Sequence, residues 1–123
     1  MNPNIAVIGN PNCGKTTLFN ALTGSKQKVG NWSGVTIDKK IGQFKVADQT
    51  VELVDLPGTY SLDVNAQTPL DEKIARDYAL SGESQLIINI LDASNLERNL
   101  YLTAQLLEMK VPLLVVLNMV DVA

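Results

Sequence analysis

The sequence predicts an α/β fold in three layers: a mostly parallel sheet with one antiparallel edge strand, covered by helices on both faces. Apolar runs alternate with segments of helical periodicity along the 123 residues, which is typical of chains that build parallel sheets. The first apolar run leads through a glycine-flanked turn directly into a helix-forming segment, the order in which many α/β domains begin. The length suits one domain with one core.

The turn after the first strand carries the phosphate-binding pattern G-x-x-x-x-G-K-T. Residues 5–8 form the predicted strand, and residues 15–23 form a helix that Gly24 ends. The pattern consists of Gly9, Asn10, Pro11, Asn12, Cys13, Gly14, Lys15 and Thr16, with Thr17 next. Backbone N–H groups at a helix N-terminus hold phosphate oxygens, and Lys15 would reach the outer phosphates. The loop therefore predicts a nucleoside triphosphate site in which the Thr16 hydroxyl ligates Mg²⁺.

The segment between the first helix and the next strands is polar and punctuated by glycines. Residues 25–36 are therefore predicted to form a mobile loop. Residues 37–46 and 50–54 are extended runs that predict a β-hairpin, whose first strand would be the antiparallel edge of the sheet. A second loop then runs to Gln67.

Two helices and two strands are predicted in the second half of the chain. Thr68 is the expected cap of a helix that ends near Ser81, before Gly82. Residues 86–91 form a buried strand, and a capping box at residues 94–97 begins a helix ending near Lys110. The predicted buried face of that helix consists of Leu96, Leu100, Thr103, Ala104 and Leu107. Residues 113–117 form a fifth strand.

Asp55 ends the third predicted strand, in the turn Asp55-Leu56-Pro57-Gly58. An acid at this position can hold a water on Mg²⁺, and the Gly58 N–H can bond the γ-phosphate. Thr36 lies between the phosphate loop and Asp55, where its hydroxyl could reach the same Mg²⁺. Each group also has an ordinary interpretation, a strand-ending turn or a loop threonine. Their order after the phosphate loop favours the functional one.

Asn118-Met119-Val120-Asp121 follows the fifth predicted strand. The Asp121 carboxylate can accept from N1–H and N2–H₂ of guanine, whereas adenine offers no such donor pair. With adenine the buried Asp121 carboxylate would be left unpaired, which costs binding free energy. Asp121 would therefore select GTP over ATP. Asn118 could bond the base and also tether the phosphate loop.

Composition excludes several other classes of protein. The net charge of −3 disfavours a nucleic-acid partner, which normally needs a basic face. One cysteine and no histidine allow neither an internal disulfide nor a His/Cys metal site in one copy. The chain holds no apolar run near the ~20 residues of a membrane span and no signal pattern, so it is expected to be cytosolic.

The four motifs, in this order, resemble the Ras-like (TRAFAC) GTPase domain. Finer similarity, to the N-terminal G domain of the FeoB family of bacterial ferrous-iron transport proteins, covers essentially the whole chain. It rests on VGNWSGVT (residues 29–36), DLPGTYSL (residues 55–62), DEKIARDY (residues 71–78) and DASNLERNLYL (residues 92–102). The first of these is the first switch, and the resemblance implies that Gly34, Val35 and Thr36 contact GTP.

The resemblance implies more chain than these residues contain. A Ras-like domain continues through a fifth base-contacting motif, and FeoB proteins add a helical domain and an inner-membrane permease. We therefore expect residues 1–123 to be a partial G domain, truncated after the fourth motif, whose last strand is an exposed edge. Its expected partners are the rest of the polypeptide, small Feo proteins or a second copy of the chain.

The usual water-orienting glutamine is replaced by Thr59, which implies slow GTP hydrolysis. Similarity to K⁺-activated GTPases implies that Asn12, with backbone carbonyls around Gly30 to Trp32, binds a potassium ion that supplies the missing positive charge. Two alternatives remain open: a nucleotide-gated binding module with incidental hydrolysis, and an Era- or MnmE-like GTPase acting on RNA. Trp32 is interpreted as a mobile switch residue and Cys13 as a small residue facing the core.

Overall fold

The computed structural model describes residues 3–11, 13–24, 27–63, 65 and 67–118. The elements in chain order are β1 (Asn4–Gly9), α1 (Lys15–Thr23), β2 (Gln27–Asn31), β3 (Asp38–Val46), β4 (Gln49–Asp55), α2 (Leu70–Ser81), β5 (Leu86–Asp92), a 3₁₀ turn (Ala93–Asn95), α3 (Leu96–Glu108) and β6 (Leu113–Asn118). The sheet has the order β2-β3-β4-β1-β5-β6. β4, β1, β5 and β6 pair in parallel, and β3 is antiparallel to both neighbours. The predicted fold class is confirmed.

Strand β2 lies inside the segment predicted to be a mobile loop, so that prediction is wrong for residues 27–31. Gln27 pairs with Gly42 and Asn31 with Asp38 across an antiparallel ladder. Most of β2 is exposed and polar, so no apolar alternation marks it in the sequence. Its strand conformation comes from pairing with β3, a tertiary contact that local propensity does not encode. The antiparallel strand β3 consequently lies one strand in from the edge.

Helices cover both faces of the sheet, as predicted. On the face of α1, Phe19 packs with residues of β1, β4 and β5, including Val7, Leu53 and Ile90. On the other face, α2 and α3 pack over Ala6, Ile8, Val54 and Ile87. Because β1, β4, β5 and β6 are parallel, the loops that follow them meet at one edge of the sheet, where ligands bind in such folds.

The cap predicted for α2 at Thr68 is wrong. The helix begins at Leu70, and no side chain caps it. The Thr68 hydroxyl instead accepts the Asn65 N–H at 2.7 Å and donates to the Asp63 carbonyl at 3.2 Å. It therefore stabilises the preceding loop. Gly82 ends α2 in the left-handed conformation, as predicted (φ 76°).

The capping box predicted at residues 94–97 is also wrong. The Asp92 carboxylate accepts the Ser94 N–H at 2.9 Å and the Ser94 hydroxyl at 2.6 Å. This contact stabilises the 3₁₀ turn, and α3 begins only after it, with no side-chain cap.

Of the predicted face, α3 buries only Thr103. Its buried residues are Asn99, Leu102, Thr103 and Leu106, whereas Leu96, Leu100 and Leu107 are exposed. Asn99 Oδ1 accepts the Asp92 N–H at 3.1 Å, and the Thr103 hydroxyl donates to buried Asn89. Two polar residues therefore turn inward because strand β5 supplies their partners. The helical periodicity marked Thr103 but not Asn99.

β6 forms one edge of the sheet and exposes apolar side chains, as predicted for the last strand. Leu114, Val115 and Leu117 are 49%, 43% and 64% exposed. Within the described residues, no helix has the length and apolar character needed to cross a membrane.

Candidate functional site

The phosphate-loop segment connects β1 to α1. The Cys13 N–H donates to the Asn10 carbonyl at 3.2 Å, and the Leu18 N–H donates to the Gly14 carbonyl at 3.1 Å. Gly14 stands immediately before α1 with φ 90°, which a side chain would strain. The turn geometry thus explains the second glycine of the motif. Asn12 lies outside the described residues.

A cavity of about 620 Å³ lies against this loop. It is lined by Asn10, Pro11, Gly14, Lys15, Thr16, Thr17, Gly58 and Asp71. Its volume is in the usual range of small-molecule sites. The structure thus brings the phosphate loop and Gly58 of the Asp55–Gly58 turn to one cavity. Asp71, in the first turn of α2, was not predicted there, because an acid near a helix N-terminus is ordinary in sequence.

Lys15 and Asp55 form an ion pair in which Lys15 Nζ donates to Asp55 Oδ1. Their side chains are only 11% and 10% exposed. Asp55 ends β4 beside the loop after β1, because β1 and β4 are parallel neighbours. Lys15, predicted to face phosphate, and Asp55, predicted to face Mg²⁺, are therefore in contact with each other.

Gly58 packs against the phosphate loop. A Cβ at Gly58 would lie 3.2 Å from Pro11 Cα, so any larger residue would push the two loops apart. Next to it, the Thr59 N–H donates to the Gly9 carbonyl at 3.0 Å. The Thr59 hydroxyl donates to the Ser61 carbonyl at 2.7 Å, and the residue is 2% exposed. The Thr59 side chain is therefore engaged within its own loop.

Thr36 lies beside the ion pair. A second cavity, of about 340 Å³, has Thr36, Lys15 and Asp55 in its lining. Two turn residues precede Thr36: Gly34, with φ 78°, and Val35, whose N–H donates to the Trp32 carbonyl at 3.1 Å. Thr36 and Asp55, both predicted to hold Mg²⁺, thus line the same cavity.

Trp32 is a core residue in this structure, which contradicts its interpretation as a mobile switch residue. It is 9% exposed and packs edge-on against Tyr78 of α2, with ring centroids 5.5 Å apart. Gly30 lies in the β2–β3 ladder opposite Lys39. Neither Gly30 nor Trp32 lines the cavity at the phosphate loop.

Asn118 links the fourth motif to the phosphate loop. Its Nδ2 donates to the Cys13 carbonyl at 3.2 Å, which is the predicted tether. A smaller cavity of about 180 Å³ lies beside this contact, lined in part by Gly14, Thr17 and Asn118. Met119 and Asp121 lie outside the described residues.

Cys13 faces the core, as predicted. It is 1% exposed, and a Cβ at Gly9 would lie 2.5 Å from its Sγ. Burial raises the pKa of the Cys13 thiol, because the thiolate would lose its hydration. The first glycine of the motif therefore makes room for the cysteine.

The model of the family described as ferrous iron transport protein B matches residues 3–123. The chain belongs to this family. It is 65% identical over 120 residues to the Fe(2+) transporter FeoB of Escherichia coli (strain K12), a match covering 97% of this chain and 16% of the relative. It is 64% identical, with the same coverage, to FeoB of Salmonella typhi.

Solved structures of the family have the same fold. The cytosolic domain of L. pneumophila FeoB is 54% identical with a TM-score of 0.90, over 96% of this chain and 51% of that one. The cytosolic domain of the T. maritima FeoB iron transporter in a GDP form is 50% identical with a TM-score of 0.87, over 94% and 44%. The fold is thus that of a GTPase-type G domain.

Proposed function

We propose that this chain is the GTP-binding and slowly GTP-hydrolysing switch domain of a bacterial ferrous-iron transporter. One observation carries the proposal: the phosphate loop and Gly58 line a single cavity, and Asn118 is hydrogen-bonded to the same loop. The solved GDP form of a relative supports guanine nucleotide as the ligand.

The chain would act as part of a larger polypeptide. It spans about a sixth of the length of the curated relatives that it matches. We propose that it lies in the cytoplasm and that a fifth motif, a helical domain and an inner-membrane permease complete the protein. Small Feo proteins or a second copy would be further partners, and nucleic acid would not.

On nucleotide binding, Lys15 would leave Asp55 and bind the outer phosphates. This exchange suits an ion pair at a cavity wall, because each charge gains a partner of opposite sign when the pair opens. Thr16, Thr36 and Asp55 offer the hard oxygen donors that Mg²⁺ prefers, and the ion would neutralise charge on the phosphates. Asp121 would read the base, as the sequence predicts.

Hydrolysis is expected to be slow for a structural reason. The Thr59 hydroxyl donates to the Ser61 carbonyl and accepts the Ser61 N–H, and the residue is 2% exposed, so it is poorly placed to orient an attacking water. K⁺ held by Asn12 and carbonyls of Gly30 to Trp32 would supply positive charge near the phosphates. In this structure the Trp32 carbonyl accepts the Val35 N–H, so the first switch would have to rearrange to present it.

Nucleotide turnover in different salts tests the proposal. Phosphate release from GTP and from ATP is measured in KCl and in NaCl, for the wild type, Asn12→Ala and Asp121→Ala. We expect the wild type to release phosphate slowly from GTP and not from ATP, and to do so faster in KCl than in NaCl. Asn12→Ala should have equal rates in the two salts. Asp121→Ala should no longer prefer GTP to ATP. Asn95→Ala, exposed at the start of α3, is the matched control and should behave as the wild type. Equal rates with both salts and all variants would refute the K⁺ mechanism.

The buried Thr59 side chain also favours a second candidate function, a nucleotide-gated binding module. Its output would be the conformation of the loops, with hydrolysis incidental. Single-turnover hydrolysis compared with the rate of nucleotide release separates the two. Release much faster than hydrolysis would favour the binding module, and hydrolysis faster than release would favour the GTPase switch.

A further inference from the structure

The segment that follows Gly58 is attached to α3. Residues 60–63 contact three side chains that lie on one face of that helix: Arg98, Tyr101 and Gln105. Their spacing of three and four residues is that of neighbours along a helix surface. α3 therefore presents a continuous strip of side chains to the loop that is expected to respond to the γ-phosphate.

Gln105 makes the two shortest of these contacts with the two ends of one amide. Its Oε1 accepts the Leu62 N–H at 2.6 Å, and its Nε2 donates to Asp63 Oδ1 at 2.7 Å. A primary amide provides both a donor and an acceptor, which a carboxylate cannot. The contact with Asp63 is charge-assisted and hence stronger than a neutral one.

The other two contacts involve α3 residues that precede Gln105. The Arg98 guanidinium is 4.0 Å from the centroid of the Tyr60 ring, and the Tyr101 hydroxyl is 3.5 Å from Asp63 Oδ2. Arg98, Tyr60 and Tyr101 are all exposed, so these two contacts contribute little.

The other end of the same loop is bound to the phosphate loop, through the Thr59 N–H on the Gly9 carbonyl and Gly58 against Pro11. Residues 58–63 are therefore held from two sides, in an arrangement in which Lys15 is paired with Asp55. Movement of Gly58 towards a γ-phosphate would pull on the contacts at Leu62 and Asp63.

We infer that Gln105 is a positioning residue that holds residues 58–63, through Leu62 and Asp63, in the arrangement in which Lys15 is paired with Asp55. The inference rests on the proposed function in one respect, that the loop responds to the third phosphate. Gln105 thereby sets the preference between nucleoside diphosphate and triphosphate without touching either.

Exchanging the amide of Gln105 and the carboxylate of Asp63 tests the contact between these two side chains in the absence of nucleotide. Gln105→Glu keeps an acceptor for the Leu62 N–H but places a carboxylate against Asp63. Asp63→Asn retains an acceptor for Gln105. The double variant Gln105→Glu/Asp63→Asn restores a donor–acceptor pair with its polarity reversed. Gln85→Glu, exposed at the start of β5 near the opposite end of the sheet, is the matched control.

Hydrogen exchange of the Leu62 amide is the first measurement. We expect exchange to be about tenfold faster in Gln105→Glu, close to the wild type in Asp63→Asn and Gln85→Glu, and restored in the double variant. Amides of β1 should be unchanged in all variants, which shows that each folds. Unchanged Leu62 exchange in Gln105→Glu, or failure of the double variant to restore it, would overturn the inference.

The second measurement is the ratio of affinities for a non-hydrolysable GTP analogue and GDP. Gln105→Glu should shift this ratio towards the triphosphate by about tenfold, and the double variant should return it. A merely structural contact would change both affinities equally, which would refute the positioning role. If the wild type binds no nucleotide, the proposed function fails, while the exchange experiment still decides whether Gln105 holds the loop.

Discussion

Lys15 on α1 donates a hydrogen bond to Asp55 at the end of β4, so the two charges of the predicted phosphate and Mg²⁺ sites neutralise each other. Both side chains are about nine-tenths buried. Removing one partner of such a pair leaves a charge with little water to solvate it, whereas removing both does not. The stability of the folded protein therefore depends on Lys15 and Asp55 being present together.

A double-mutant cycle should measure that coupling. We expect Lys15→Met and Asp55→Asn each to lower the free energy of unfolding by about 1–3 kcal/mol. The double variant should lose less than the sum by about 1 kcal/mol. Urea denaturation gives the values, with Lys73→Met, an exposed lysine of α2, as the control. Additive losses would mean that the two charges do not interact.

The parts of the site that follow directly from strand order could be predicted from sequence. The phosphate loop, Asp55 and Asn118 each follow a strand of a parallel sheet, so topology alone brings them to one edge. The tether from Asn118 to the phosphate loop was predicted in this way, and the structure shows that its acceptor is the Cys13 carbonyl.

The parts that depend on pairing between distant segments could not be predicted. β2 is polar and becomes a strand only against β3. Asn99 is buried against the end of β5, where its Oδ1 accepts the Asp92 N–H. Gln105 has no motif, and its role appears only when α3 lies beside residues 62–63. In each case the determining interaction is tertiary, and local pattern contains no trace of it.

Trp32 should stabilise the fold as a core residue. It packs against Tyr78 with ring planes 74° apart, and Lys39 Nζ lies 4.6 Å from the centroid of its ring. We expect Trp32→Ala to lower the free energy of unfolding by about 3 kcal/mol. Trp32→Phe, which keeps an aromatic contact, should cost about half as much. Thermal or urea unfolding, followed by circular dichroism, measures both. A loss below about 0.5 kcal/mol in Trp32→Ala would indicate a surface residue.

Two glycines of adjacent strands should differ in how much a substitution by alanine changes stability. A Cβ at Gly42 of β3 would lie 2.3 Å from Thr23 Cγ2, whereas nothing lies within 4 Å of a Cβ at Gly30 of β2. We expect Gly42→Ala to lower the free energy of unfolding by about 1–3 kcal/mol, because α1 must shift away from the sheet. Gly30→Ala should change it by less than about 1 kcal/mol. Equal effects of the two substitutions would show that α1 does not pack tightly over β3.

The Cys13 thiol should make stability fall at alkaline pH. Burial raises its pKa in the folded protein, whereas in the unfolded chain it titrates near 8.5. Above that pH the unfolded chain releases a proton that the folded chain retains. The stability contribution is therefore complete below the unfolded pKa and is lost as pH rises through the folded one.

Cys13→Ala isolates this effect, because every other titrating group is common to both proteins. We expect the free energy of unfolding of the wild type to decrease more steeply than that of Cys13→Ala between about pH 8 and pH 10. Urea denaturation at several pH values under reducing conditions gives both curves. Parallel curves would mean that the folded thiol ionises as readily as the unfolded one, and hence that the cysteine is not held among core residues behind the phosphate loop.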